Sequence, residues 1–145
     1  KAGYRTRAAG YADRVASLDE WIQEQTGRLP AERRLLVTDH YALGYFARRY
    51  GFQVLGAVIP SASTLAEPAP QELAALEENM KSHDVRTIFV EAMDAGASLD
   101  SIARDVGAEI VQLHIGSLTA ANGPAATYID LMQFDTLRMV EALAP

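Results

Sequence analysis

The stretch that decides the fold is Leu35-Leu36-Val37-Thr38-Asp39-His40-Tyr41-Ala42-Leu43-Gly44-Tyr45-Phe46-Ala47-Arg48-Arg49-Tyr50-Gly51. Leu35–Thr38 is a short apolar run of buried-strand type, and the spacing then changes to a helical one. Over Tyr41–Tyr50 the pattern predicts a helix with Ala42, Tyr45, Phe46 and Arg49 on one face, ended by Gly51. A strand that feeds straight into a helix is half of a parallel βαβ unit. It also locates the chemistry. Asp39 and His40 stand at the C-terminal end of the strand, the edge at which open α/β sheets bind their ligands.

Working outward, the same alternation repeats. Upstream, Tyr4, Ala8, Tyr11, Val15, Leu18 and Ile22 recur at alternating four- and three-residue steps, which is one helical stripe from about Gly3 to Thr26. Gly27 and Pro30 close it. It is either a packed core helix or a strut joining two lobes. Downstream, strands are expected at Gln53–Ile59, Thr87–Val90 and Glu109–Leu113. Pro70 opens a helix with Leu73, Leu76 and Met80 on one face. Ser98 is placed to cap another, carrying Leu99, Ile102, Ala103 and Val106. Ile129, Met132, Thr136, Met139, Val140 and Leu143 line a last long helix. The expected fold is α/β: a four-stranded parallel sheet in the order 2-1-3-4 with helices on both faces, preceded by a long helix. Residues 1–27 form that helix and 28–145 the α/β lobe. No antiparallel pair is expected among the four strands.

Bulk properties narrow the function. The chain has 145 residues, 49% hydrophobic and 22% charged, which suits one globular domain with a proper core. The net charge is −6 and the basic residues are scattered, which argues against nucleic acid and against a polybasic membrane contact. With no cysteine there is neither a disulfide framework nor a thiolate zinc site. No run is apolar and long enough to span a bilayer. The chain opens at Lys1-Ala2-Gly3-Tyr4, without Met and inside a helical pattern. This is read as a piece of a longer protein whose signal segment lies elsewhere.

All four strand-to-helix loops open on one sheet edge in such a fold. That edge collects Asp39 and His40, Ser61 and Ser63, Glu91 and Asp94, and His114, Gly116 and Ser117. His40 is a candidate metal ligand, imidazole being the commonest one. Its plainer role is packing in a first helical turn capped by Asp39 or Thr38. Glu91 either faces the site or serves as a hydrogen-bond partner, and His114 is either a pocket residue or simply a loop residue. Asp94 and Asp100 read as solvated or capping, His83 as a surface residue, and Trp21, Tyr4 and Tyr11 as packing. No dinucleotide fingerprint, P-loop, GxSxG elbow or HExxH is present. Ser117 beside His114 makes no triad without a placed acid.

Four motifs carry a resemblance: Thr38-Asp39-His40-Tyr41-Ala42-Leu43-Gly44-Tyr45-Phe46, Ala66-Glu67-Pro68-Ala69-Pro70, Ile88-Phe89-Val90-Glu91, and Gly123-Pro124-Ala125-Ala126-Thr127-Tyr128-Ile129-Asp130-Leu131-Met132. In this order they resemble the long linker helix and C-terminal lobe of the cluster A-I solute-binding proteins of bacterial zinc and manganese ABC importers. The resemblance implies a two-lobed protein in which the N-terminal lobe, absent here, supplies two metal ligands. It implies that His40 is the first ligand of this lobe. The family's second ligand is usually an aspartate in a segment similar to Leu113-His114-Ile115-Gly116-Ser117-Leu118. Gly116 stands at that aspartate's position and offers no side chain, which leaves His114, a nearby carboxylate or water to replace it, or a site with a changed ligand.

The function so implied is capture of zinc or manganese outside the cytoplasmic membrane and delivery to an ABC permease, without catalysis. The place implied is periplasmic, or extracellular and membrane-anchored. The alternatives are a metal-using enzyme of chelatase-like architecture and an adhesin or interaction domain with a degenerate metal site. Asp39, Glu91, His114, Gly116 and Ser117 are the residues expected around His40. Glu91 is expected to point at the His40 ring and orient it, as carboxylates commonly do for metal-bound histidines. Weak metal binding, or none, is expected of the chain by itself.

Overall fold

The structure, a computed structural model, describes residues 2–59, 68–91 and 96–144. Ser61, Ser63, Asp94 and most of the Ala66–Pro70 motif's first half therefore lie outside the described residues. The elements run α1 (Ala2–Gly27), a 3₁₀ turn (Ala31–Arg33), β1 (Leu35–His40), α2 (Gly44–Tyr50), β2 (Gln53–Ile59), α3 (Pro70–Ser82), β3 (Thr87–Val90), α4 (Ala97–Val106), β4 (Glu109–Gln112) and α5 (Tyr128–Leu143).

The four strands form one sheet in the order β2-β1-β3-β4, and every pairing is parallel. Strand pleating sends alternate residues to opposite faces, and both faces are covered. Val37, Ile88 and Val90 pack with Leu76 and Met80 of α3 and with Leu99 and Ile102 of α4. Leu36, Phe89 and Val111 pack on the other face with Ala47 of α2 and Met139 and Leu143 of α5. Burying each such side chain contributes about 1.5–3 kcal/mol. This two-sided burial is why β1 and β3 read as continuous apolar runs rather than alternating ones.

Four local features depart from expectation. β1 continues through Asp39 and His40, because His40 still pairs with Ile59 of β2. α2 consequently starts at Gly44, not Tyr41, and its phase turns. Phe46, Ala47 and Tyr50 face the core, whereas Tyr45 is 85% exposed and Ala42 precedes the helix. Gly51 ends it in the left-handed region at φ 75°, where only glycine is unstrained. Ser98 lies inside α4, whose N-cap is Gly96. β4 ends at Gln112, one residue early.

α1 is 26 residues, about 39 Å at 1.5 Å per residue. Only its second half is packed, chiefly against α5: Leu18 and Ile22 are buried, while residues 3–14 are all exposed. Tyr4 and Tyr11, expected as packing residues, are solvent-facing instead, because the packed part of α1 begins beyond them at Leu18. An Asp19 clamp holds α1 to α2. Its carboxylate accepts from the Arg49 guanidinium, from Tyr50 Oη at 2.9 Å and from Gln23 Nε2 at 2.8 Å. The Arg49 hydrogen bond holds the Asp19 carboxyl down at about 2, and burial with the Asp19 bond pushes the Tyr50 hydroxyl up to about 12.

Candidate metal centre

Register assembles the centre. Thr38 pairs with Phe89, so two residues further along each strand His40 stands beside Glu91. Phe89 in turn pairs with Val111, which leads through Leu113 into the β4–α5 loop. The three C-terminal strand ends thus bring His40, Glu91 and that loop to one edge, the expected ligand edge.

Asp39 organises this edge. It is 7% exposed, and it does not cap α2. One carboxylate oxygen accepts from the backbone N–H of His40 at 2.8 Å and faces His40 Nδ1 at 2.9 Å. The other accepts from the backbone N–H of Glu91 at 3.0 Å. A carboxylate oxygen accepts, so Nδ1–H is the donor to Asp39, and the tautomer this contact favours leaves the lone pair on Nε2. Nε2 lies 3.9 Å from Glu91 Oε2, beyond hydrogen-bond range. Glu91 thus faces the ring, but the group that orients the ring is Asp39, its immediate neighbour in sequence. Sequence reasoning placed Asp39 beside His40 but gave the orienting role to Glu91; only the place of Asp39 in β1 turns its carboxylate toward the next strand.

The other candidates fall as follows. His114 donates its backbone N–H to Asp135 at 2.8 Å, and its ring lies against Phe134, centroids 5.1 Å apart. Asp135, buried on α5, has its carboxyl pushed up by burial, against the opposing pull of the His114 amide. Ser117 is exposed. Gly116 lies directly under Glu91: a Cβ there would overlap Glu91 Oε1 and lie 3.2 Å from Cδ. His83 is exposed at the C-cap of α3, as expected. The Gly123–Met132 motif has a structural account. Thr127 caps α5 by accepting from the Asp130 N–H, Asp130 accepts in return from the Thr127 N–H, and Ala125 is fully buried.

Among the described residues, no group of three or more His, Cys, Asp or Glu side chains converges in a way that could hold a metal ion. At this edge His40 Nε2 and the Glu91 carboxylate face each other. A cavity of 480 Å³ lies instead among Arg33, His83, Glu109 and Leu143, toward the N-terminal ends of β1, β3 and β4. That is the edge away from where α/β sheets bind ligands.

The chain is 30% identical over 147 residues to the zinc-binding protein TroA of Treponema pallidum, covering 97% of this chain and 47% of that one. It is 28% identical over 137 residues to the iron-binding protein YfeA of Yersinia pestis, covering 92% and 43%. It is 26% identical over 145 residues to the manganese ABC transporter substrate-binding lipoprotein PsaA of Streptococcus mitis, covering 99% and 46%. The solved structure of the periplasmic zinc-binding protein TroA superposes with a TM-score of 0.81 at 27% identity, covering 98% of this chain and 53% of that one. The chain spans about half the length of the curated relatives it matches. The family model of the zinc-uptake complex component A periplasmic proteins, ZnuA, matches residues 1–142, and the chain belongs to that family.

Proposed function

We propose that this chain is the C-terminal lobe, with its linker helix, of a two-lobed protein that captures a divalent transition metal outside the cytoplasmic membrane and hands it to an ABC permease. Residues 1–27 are the linker helix and 28–145 the lobe. The observation that carries the reading is His40: an imidazole at a parallel strand end, locked by Asp39 so that Nε2 presents its lone pair at the open sheet edge. The half-length coverage supports a second lobe. So does the solvent-facing first half of α1, which carries an apolar stripe beyond the packed body.

The lobe binds and releases, with no bond made or broken in the cargo, so it is no enzyme. The remaining metal ligands come from the N-terminal lobe across a cleft, and the partner is the permease of the same system. The location is periplasmic, or extracellular and membrane-anchored. The relatives' names print zinc, iron and manganese; zinc and manganese are the metals to titrate here. Neither a chelatase-like enzyme nor an adhesin domain is favoured by these matches. The test is calorimetric titration of the chelator-stripped full-length protein. Stoichiometric zinc or manganese binding that H40A weakens by about 100-fold or more is expected, because loss of a direct ligand exceeds the 10–100-fold typical of a supporting residue. Binding unchanged by H40A would refute the reading.

A further inference from the structure

We propose that the Glu91 carboxylate is itself a metal ligand, occupying the coordination position that Gly116 leaves without a side chain. The inference rests on the metal-capture reading above and names a residue of its site.

Four observations carry it. First, Glu91 Oε2 and His40 Nε2 are 3.9 Å apart. Zinc bonded tetrahedrally to one imidazole nitrogen and one carboxylate oxygen, each at about 2.0–2.2 Å, holds those atoms about 3.4 Å apart. The observed gap is too long for a hydrogen bond and within about half an ångström of the span that one ion bridges. Second, the backbone of Glu91 is held from both sides. Its N–H donates to Asp39, and its carbonyl accepts from Gln112 Nε2 at 3.2 Å. The carboxylate therefore issues from a point fixed relative to His40.

Third, the carboxylate lies in the volume that a side chain at position 116 would claim, since a Cβ there would overlap Oε1 and sit 3.5 Å from Oε2. That position is itself fixed. The β4–α5 loop is pinned before Gly116 by the His114 amide on Asp135, and after it by the Thr119 N–H on the Ala125 carbonyl at 2.9 Å. Fourth, among the described residues the Glu91 carboxylate accepts no hydrogen bond, so its lone pairs are available to a cation. Glycine at 116 and glutamate at 91 act as one unit. The longer side chain reaches from the neighbouring strand into the room that the missing one leaves, and the anionic oxygen donor is kept although it comes from another element.

The test is competition titration of the full-length, chelator-stripped protein with zinc and with manganese, comparing wild type, H40A, E91Q, E91A and E91A/G116D. Circular dichroism and thermal midpoints check that each variant is folded. E91Q and E91A are expected to weaken binding by about 100-fold, at or beyond the upper end for a residue that only supports a ligand. E91A/G116D, which returns a carboxylate to the same space from the other side, is expected to recover affinity to within about tenfold of wild type. Wild-type affinity in E91Q, with H40A weakened, would overturn the inference and leave the metal-capture reading standing. A folded E91A/G116D as weak as E91A would overturn it too, since Glu91 would then act only by positioning. If H40A also binds like wild type, the metal-capture reading itself fails.

Discussion

At the scale of single residues, the candidate centre depends on one buried carboxylate beside His40. Asp39 satisfies two backbone amides on different strands and the Nδ1 of His40. Truncating it leaves those donors without their acceptor, at a cost of about 1–3 kcal/mol for a buried group left unsatisfied. It also frees the imidazole to rotate and to change tautomer. D39A in the full-length protein is therefore expected to lower zinc affinity by about 10–100-fold and to lower the thermal midpoint as well. D39N, which keeps one acceptor oxygen, should fall between D39A and wild type in both measurements. Wild-type affinity in D39A would show that the ring is held by packing alone.

At the scale of elements, α5 anchors the loop that carries Gly116. The anchor is Asp135, which takes the His114 N–H from a buried position. Burial raises the Asp135 carboxyl above its ordinary 3.8, so the folded protein holds this proton to higher pH than the unfolded chain does. The resulting stability is fully present below pH 3.8 and is lost as pH rises through the raised value. D135N keeps an acceptor for the His114 amide and cannot ionise. Its thermal midpoint relative to wild type is expected to rise from acid toward neutral pH, with the two nearly equal at the acid end. A difference that stays flat between pH 3 and pH 7 would mean that Asp135 titrates as it does in the unfolded chain.

At the scale of the whole molecule, the proposed function gives the described residues half of a metal site. A tight zinc site needs three or four protein ligands held in place, and this edge offers His40 and Glu91. The 145-residue chain by itself is expected to bind zinc weakly, so added zinc should leave its thermal midpoint almost unchanged. Stabilisation of about 2.7 kcal/mol would require free metal at about 100 times Kd. Differential scanning fluorimetry of the chelator-stripped chain with and without zinc measures this directly. A stoichiometric submicromolar site on the chain alone, lost in H40A, would show that one lobe completes the coordination.

Much of this was legible in the amino-acid order. Apolar runs of four to seven residues alternating with helical stripes dictate a parallel sheet, because only crossover helices can join such strands. The order 2-1-3-4 and the placing of His40 and Glu91 at one edge followed from that, and the structure agrees. Local pattern failed where a residue's role depends on its neighbour in the sheet. Pairing of His40 with Ile59 prolongs β1, delays α2 and turns Tyr45 outward. The same pairing converts Asp39 from an apparent cap into the bridge between two strand ends, a contact 52 residues apart in the chain. At Gly116 the sequence left His114, a nearby carboxylate and water as equal replacements, since a glycine in a loop shows only that no side chain is there. Tertiary structure decided that Glu91 fills the space, because the position of a carboxylate relative to a loop on the neighbouring strand is set by register and loop anchoring, neither of which periodicity encodes.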